Sequence, residues 1–167
     1  MPTSSGTGSC AKSSRPTPTT RTVDTAASRL AVDVSLGGHR VPLSADRIRD
    51  LVRRVLIAEK VREAMVSVAL VSSREIARLN REHLGHAGPT DVISFALGAG
   101  PALGDIYICP DVVRKNAGHY GVGMREELAR VIVHGTLHAL GYDHEPGEDR
   151  VSSDMWRKQE RILADVL

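Results

Sequence analysis

Three histidines in the C-terminal third of the chain, His134, His138 and His144, have the residue type and spacing of a metal site. They fall in the run His134-Gly135-Thr136-Leu137-His138-Ala139-Leu140-Gly141-Tyr142-Asp143-His144. Residues four apart on a helix project from one face, one turn apart, so His134 and His138 can reach one ion together. Imidazole nitrogens bind Zn²⁺ at about 2.0–2.1 Å. Gly141 suits a left-handed helix end, which turns the chain sharply and lets His144 return as a third ligand. With 7 histidines in 167 residues, further ones at both +4 and +10 from a starting His arise by chance about 1% of the time. Three protein ligands leave a fourth position for water, the mark of catalytic rather than structural zinc. Zinc there lowers the pKa of its water toward about 7 and polarises a carbonyl or phosphoryl oxygen. A fourth ligand from Asp143 or Glu145 would close the site instead.

The elements that must position these residues follow from periodicity. A long helix is predicted over about Met124 to Leu140, and a final one from about Ser152 to Val166. Ser44 is the expected N-cap of a helix carrying Ile48, Leu51, Val52, Val55 and Leu56 inward. Ser72 or Ser73 caps another through about Glu82, with Ile76 and Leu79 inward. Pro110-Asp111 opens a short helix ending near Gly118. Alternation from Leu30 to Val34 predicts a strand, and Gly37-Gly38 a tight turn into a second short strand at Arg40-Val41. Met65 to Val71 reads as a buried strand, with further strands near Val92 to Ala96 and Asp105 to Cys109. Gly85, Gly88 and Pro89 mark a loop. Strands and helices mix without strict alternation, which predicts an α+β layered domain.

The whole chain sets the bounds. At 167 residues it holds one domain with a real core and not two comfortable ones. Residues 1–28 are rich in Ser, Thr, Pro and Gly and are expected to be a disordered tail, leaving 29–167 as a single domain. Two cysteines, Cys10 and Cys109, make no disulfide framework and suit a reducing, cytoplasmic setting. No apolar run approaches the roughly 20 residues needed to cross a bilayer, so no membrane partner is expected. Aromatics make up only 3%, which excludes a wide base-stacking platform. Net charge is +2, but unevenly spread: Ser44 to Arg81 holds nine Lys/Arg against five Asp/Glu, and Leu140 to Leu167 four against seven. A basic first half beside an acidic tail suits an anionic ligand approaching from one side.

The spacing HxxxHxxGxxH is shared with the metzincin metalloproteases, whose motif begins His-Glu with the Glu as general base. Here that position is Gly135, which transfers no proton, so a peptidase loses its central residue. HGTLHALGYDH more closely resembles the signature of the YbeY family, bacterial zinc-dependent endoribonucleases. Outside the motif, Leu79-Asn80, Pro89-Thr90-Asp91-Val92-Ile93-Ser94-Phe95, Gly104-Asp105-Ile106, Met155 and Glu160 fall in that family's order. The likeness runs from about Leu30 to the C-terminus.

The resemblance implies a fold: a mixed four-stranded sheet packed with helices, with a zincin-like core around a central HxxxH helix. It also implies a zinc-dependent, single-strand-specific endoribonuclease in rRNA processing, at the 16S rRNA 3′ end, and in ribosome quality control. The implied partners are single-stranded rRNA and the small ribosomal subunit or its factors, with no DNA. A non-catalytic, zinc-containing ribosome biogenesis factor is the alternative, and a zinc peptidase the third. One departure bears on catalysis. Where family members carry an Arg after the Leu-Asn pair, this chain has Leu84, which cannot hold a phosphate as a guanidinium does. Arg81 is the candidate substitute, with Arg78 behind it; His83 and His86 also stand in this stretch. Asp91 and Asp105 are candidates for orienting a ligand imidazole through its free N–H. Asp143 is placed to hold the turn before His144.

Overall fold

The computed structural model describes residues 29–98, 102–144 and 153–167. The tail expected over 1–28 lies outside them, as do Glu145 and Ser152. The strands are β1 (Arg29–Ser35), β2 (Glu63–Leu70), β3 (Val92–Ala96) and β4 (Ala102–Ile108). The helices are α1 (Ala45–Ala58), α2 (Ser73–Leu79), α3 (Pro110–Tyr120), α4 (Met124–Ala139) and α5 (Asp154–Val166), with a π-helical turn at Asn80–Leu84. The architecture is α+β, as expected. The strands form one mixed sheet in the order β1-β2-β4-β3, with β1, β2 and β4 parallel and β3 antiparallel to β4.

The second strand expected at Arg40-Val41 is absent; that segment is irregular. β1 does not turn back in a hairpin but pairs parallel with β2 after crossing over through α1. Gly37 serves the start of that crossover rather than a hairpin. Its φ is +54° and a Cβ there would sit 2.6 Å from the Leu70 carbonyl oxygen. Only glycine permits so close an approach in a left-handed conformation.

Serine caps hold three helices. Ser44, Ser72 and Ser153 each accept from the backbone N–H three residues on, at 3.2 Å. The inward stripe of α1, Ile48, Leu51, Val52, Val55 and Leu56, is buried as periodicity predicted. It packs with Val66, Val68 and Leu70 of β2, Ile106 and Ile108 of β4, and Leu128, Ile132 and Leu137 of α4. Fully burying such a side chain contributes about 1.5–3 kcal/mol, so this layer dominates stability.

The opposite face of the sheet is covered only in part. Ile76 and Leu79 of α2 pack there with Ile93, Phe95 and Tyr107, but Met65 is 65% exposed. β2 is therefore buried on one face, not both.

The basic residues of α1 are largely spoken for by its own acids: Arg47 and Arg54 pair with Asp50, and Arg49 with Asp46. No helix among the described residues is long and apolar enough to cross a membrane.

Candidate metal centre

Helix α4 is buried along most of its circumference, at Leu128, Ala129, Val131, Ile132, Val133, Thr136 and Leu137 among others. It packs against α1, α3, α5, β3 and β4, so its side chains are positioned from every direction. It ends as expected. Gly141 takes φ +92°, its N–H donates to the His138 carbonyl at 2.9 Å, and Tyr142 N–H donates to the Leu137 carbonyl at 3.1 Å. Those two bonds close a Schellman motif. Asp143 then accepts from the His144 N–H at 2.8 Å, holding the turn that brings His144 back.

The three rings meet as the spacing predicted. Their candidate ligand nitrogens all lie within 4.8 Å of one another. Each of the two helical rings is fixed from behind. His138 Nδ1 lies 2.7 Å from the Tyr142 carbonyl oxygen, and His134 Nδ1 lies 2.8 Å from Gln159 Oε1. Both partners are acceptors, so in both rings Nδ1 carries the proton and a neutral imidazole keeps a bare lone pair on Nε2. Those two Nε2 atoms face each other at 3.1 Å. Two lone pairs at that distance repel unless a cation lies between them. Among the described residues, His144 Nδ1 is buried without a hydrogen-bond partner, a costly state for a polar atom. Burial above all, and then the field of His138, pushes His134 down to about 4, which keeps it in the neutral form a metal ligand requires. The donor set therefore fits a divalent transition ion that accepts imidazole, zinc among them.

Gln159 is the residue that sequence reasoning missed. It is 1% exposed on α5, inside the apolar stripe of Met155, Ile162, Leu163 and Val166. An amide in a core stripe was the available signal, because a buried polar group needs a partner. Its Nε2 donates to Glu160 at 3.1 Å, which leaves Oε1 for the histidine. Gln159→Leu is expected to weaken metal binding about 10- to 100-fold, the usual loss when a ligand's outer partner is removed. Competition against a zinc indicator checks this; unchanged affinity would remove Gln159 from the centre's support.

A second support stands behind Tyr142. Its hydroxyl donates to Glu59 at the end of α1, and Lys158 Nζ donates to both Glu59 oxygens at 3.0 and 2.9 Å. Burial raises the Glu59 carboxyl, but the Tyr142 and Lys158 hydrogen bonds outweigh it and hold the group below its ordinary value. This anchor fixes the residue whose carbonyl orients His138.

The other candidates divide. Asp91 lines one cavity with His134 and His144. Its oxygens accept from the Val92 N–H at 2.9 Å, Thr90 Oγ1 at 3.1 Å and Asn116 Nδ2 at 3.3 Å. It is thus a turn residue and a wall of the site at once. Asn80 supports that loop by donating to the Gly88 carbonyl at 2.9 Å. Asp105 lies elsewhere: its neighbours Gly104 and Ile106 face α4, while its own carboxylate accepts from Ser67 Oγ on the opposite face of the sheet. Arg81 lines a separate groove with Arg74, Glu75 and Arg78 on α2. Leu84 is 49% exposed and His83 packs edge-on against Phe95.

The cavity beside the histidines measures about 490 Å³. Besides the residues already named it is lined by Tyr120, Glu127, Arg130 and Trp156. Arg130 bonds Glu127 and Glu126, each at 2.9 Å, and lies 3.5 Å from Glu160. Burial lowers its pKa, and these carboxylates more than restore it.

Comparison with known proteins places this geometry. The family model described as Endoribonuclease YbeY matches residues 37–167. A protein of Bacillus licheniformis bearing that name is 40% identical over 151 residues, covering 80% of this chain and 93% of the relative. Its namesake from Thermotoga petrophila is 40% identical over 111 residues, covering 66% and 73%. A Thermotoga maritima protein, whose structure was determined in solution, superposes with a TM-score of 0.58 at 33% identity, covering 81% of this chain and 88% of that one. The three-histidine centre at the end of α4 and the match over residues 37–167 make this chain a member of the YbeY family.

Proposed function

We propose that the chain is a zinc-dependent endoribonuclease cutting single-stranded RNA at the centre formed by His134, His138 and His144. The observation that carries this reading is the pair of Nε2 lone pairs turned on each other at 3.1 Å, beside a His144 Nδ1 with no hydrogen-bond partner among the described residues. That arrangement is stable around a cation and costly without one. The relatives named as endoribonucleases supply the substrate class.

Bound zinc supplies a polarising charge for the phosphoryl group and an activated water near neutral pH. The chain's own residues do the rest. The Tyr142 carbonyl and Gln159 fix the ring planes of His138 and His134. Asp91 contributes negative charge beside His134. A single strand is the substrate because only a flexible chain can bend its phosphate into a recessed site. In this reading the RNA is ribosomal, at the small-subunit (16S) rRNA 3′ end, met in the cytoplasm with the small subunit or its factors; ribosome quality control belongs to the same role. One zinc per chain suffices, and neither DNA nor a membrane takes part.

A second reading is a non-catalytic, zinc-containing ribosome biogenesis factor. The half-exposed Leu84 and the separate groove of Arg81 favour it. Cleavage assays on single-stranded RNA, the same RNA as a duplex, and an unfolded protein separate the readings. The nuclease reading expects cleavage of the single strand alone. Binding of that RNA without cleavage supports the biogenesis factor, and proteolysis would overturn both.

A further inference from the structure

The cavity extends well past the histidines, and the chemistry of its far part is unlike that of the metal centre. Helix α4 packs against both α3 and α5. The cavity is a cleft lined by residues of all three helices. Tyr120 stands on the α3 wall, 65% exposed, and Trp156 on the α5 wall. The chain has 1 tryptophan, 3 tyrosines and 1 phenylalanine, so placing two of these five aromatics here is a concentration. Val122 and Val131 make the surface between them apolar.

The charges decide what fits there. Arg130 is surrounded by Glu126, Glu127 and Glu160 at 2.9 to 3.5 Å. Three carboxylates around one guanidinium leave the region net negative, with two of the guanidinium's five N–H donors committed to Glu126 and Glu127. A phosphate is repelled from it. A flat, uncharged ring bearing N–H donors is not. Aromatic walls stack such a ring, and Glu127 and Asp91 offer acceptor oxygens at its edge. The volume of about 490 Å³ lies in the range of small-molecule sites.

We propose that the cleft between α3 and α5 is a nucleobase subsite, in which Tyr120 and Trp156 stack the base of a nucleotide adjoining the phosphate held at the three histidines. It rests on the single-strand ribonuclease reading and adds a specificity to it. Cytosine and adenine, whose exocyclic amines donate to carboxylates, are favoured over uracil, which presents carbonyls there.

Trp156 is its own reporter, being the chain's sole tryptophan. The probes are 2′-O-methylated, uncleavable pentanucleotides: all-cytidine, all-uridine, and all-cytidine with a central abasic residue. Binding is followed by anisotropy of a labelled end and, independently, by Trp156 fluorescence. The all-cytidine strand should quench Trp156 and bind more tightly than the other two. Tyr120→Ala should weaken its binding about tenfold, the usual effect of losing one stacking aromatic, and leave the abasic strand unchanged. Tyr120 is exposed, so this variant keeps the fold; Tyr120→Phe should retain affinity. Equal affinity for intact and abasic strands, without quenching, would overturn the subsite while leaving the nuclease reading intact. No binding of any strand by anisotropy would overturn both. Quenching by an apolar dipeptide but not by the all-cytidine strand would reassign the cleft to a peptide side chain.

Discussion

On the zinc-nuclease reading, His138→Ala is expected to lose metal binding and with it RNA cleavage, by a factor on the order of a thousand or more, since such a metal would supply several kcal/mol of transition-state stabilisation. His138, like His134, is held at both ring nitrogens. One nitrogen is tied to the Tyr142 carbonyl at the helix end, and the other is aimed at His134. Truncation removes a ligand and leaves the Tyr142 carbonyl without that donor. Because the ring lies at the end of α4 and not among its packed layers, the fold should survive. Metal analysis and circular dichroism on the same sample check this. A folded variant retaining full zinc occupancy would contradict the ligand assignment.

Gly135→Glu, which restores the His-Glu pair of a metzincin, should sharply destabilise the fold and not create a peptidase. A Cβ at position 135 meets Ile106 Cγ2 at 2.9 Å and Ser94 Oγ and Val92 Cγ2 at 3.0 Å. The glycine lets α4 lie directly on β3 and β4, and that contact aims His134 and His138 outward. Overpacking costs about 1–3 kcal/mol, and an unpaired buried carboxylate several more. Together these remove a large share of a total stability of about 5–15 kcal/mol. Gly135→Ala separates the two causes: overpacking is partly offset by a gain of about 1 kcal/mol in helix propensity, so its net loss should be small. Urea unfolding of both variants measures the difference. A Gly135→Glu protein as stable as the parent would mean that the sheet yields to α4.

These residues also show what the sequence made legible. His134, His138 and Gly141 encode their geometry locally, through the helical repeat and the left-handed φ of glycine, so the convergence of the three histidine rings could be read directly. The Ser44 and Ser72 caps and the α1 stripe were legible for the same reason. Gly37-Gly38 was not, because the hairpin pattern is indistinguishable from a glycine required by close approach to Leu70, a contact made only in the fold. The half-open face of β2 depended on where α2 came to rest. Gln159 lies 25 residues from the ring it orients, and nothing local pairs them. Arg81 and Asp105 were singled out by type, and tertiary placement sets them in another groove and on the other face of the sheet.

The most direct test strips the wild-type protein of metal and titrates zinc back, measuring single-turnover cleavage of a single strand carrying the small-subunit rRNA 3′ end. Activity should be absent at the start, rise in proportion to added zinc, and break at about one equivalent per chain. Cleavage by the stripped protein, or none at full occupancy, would contradict a zinc-dependent nuclease centred on these histidines.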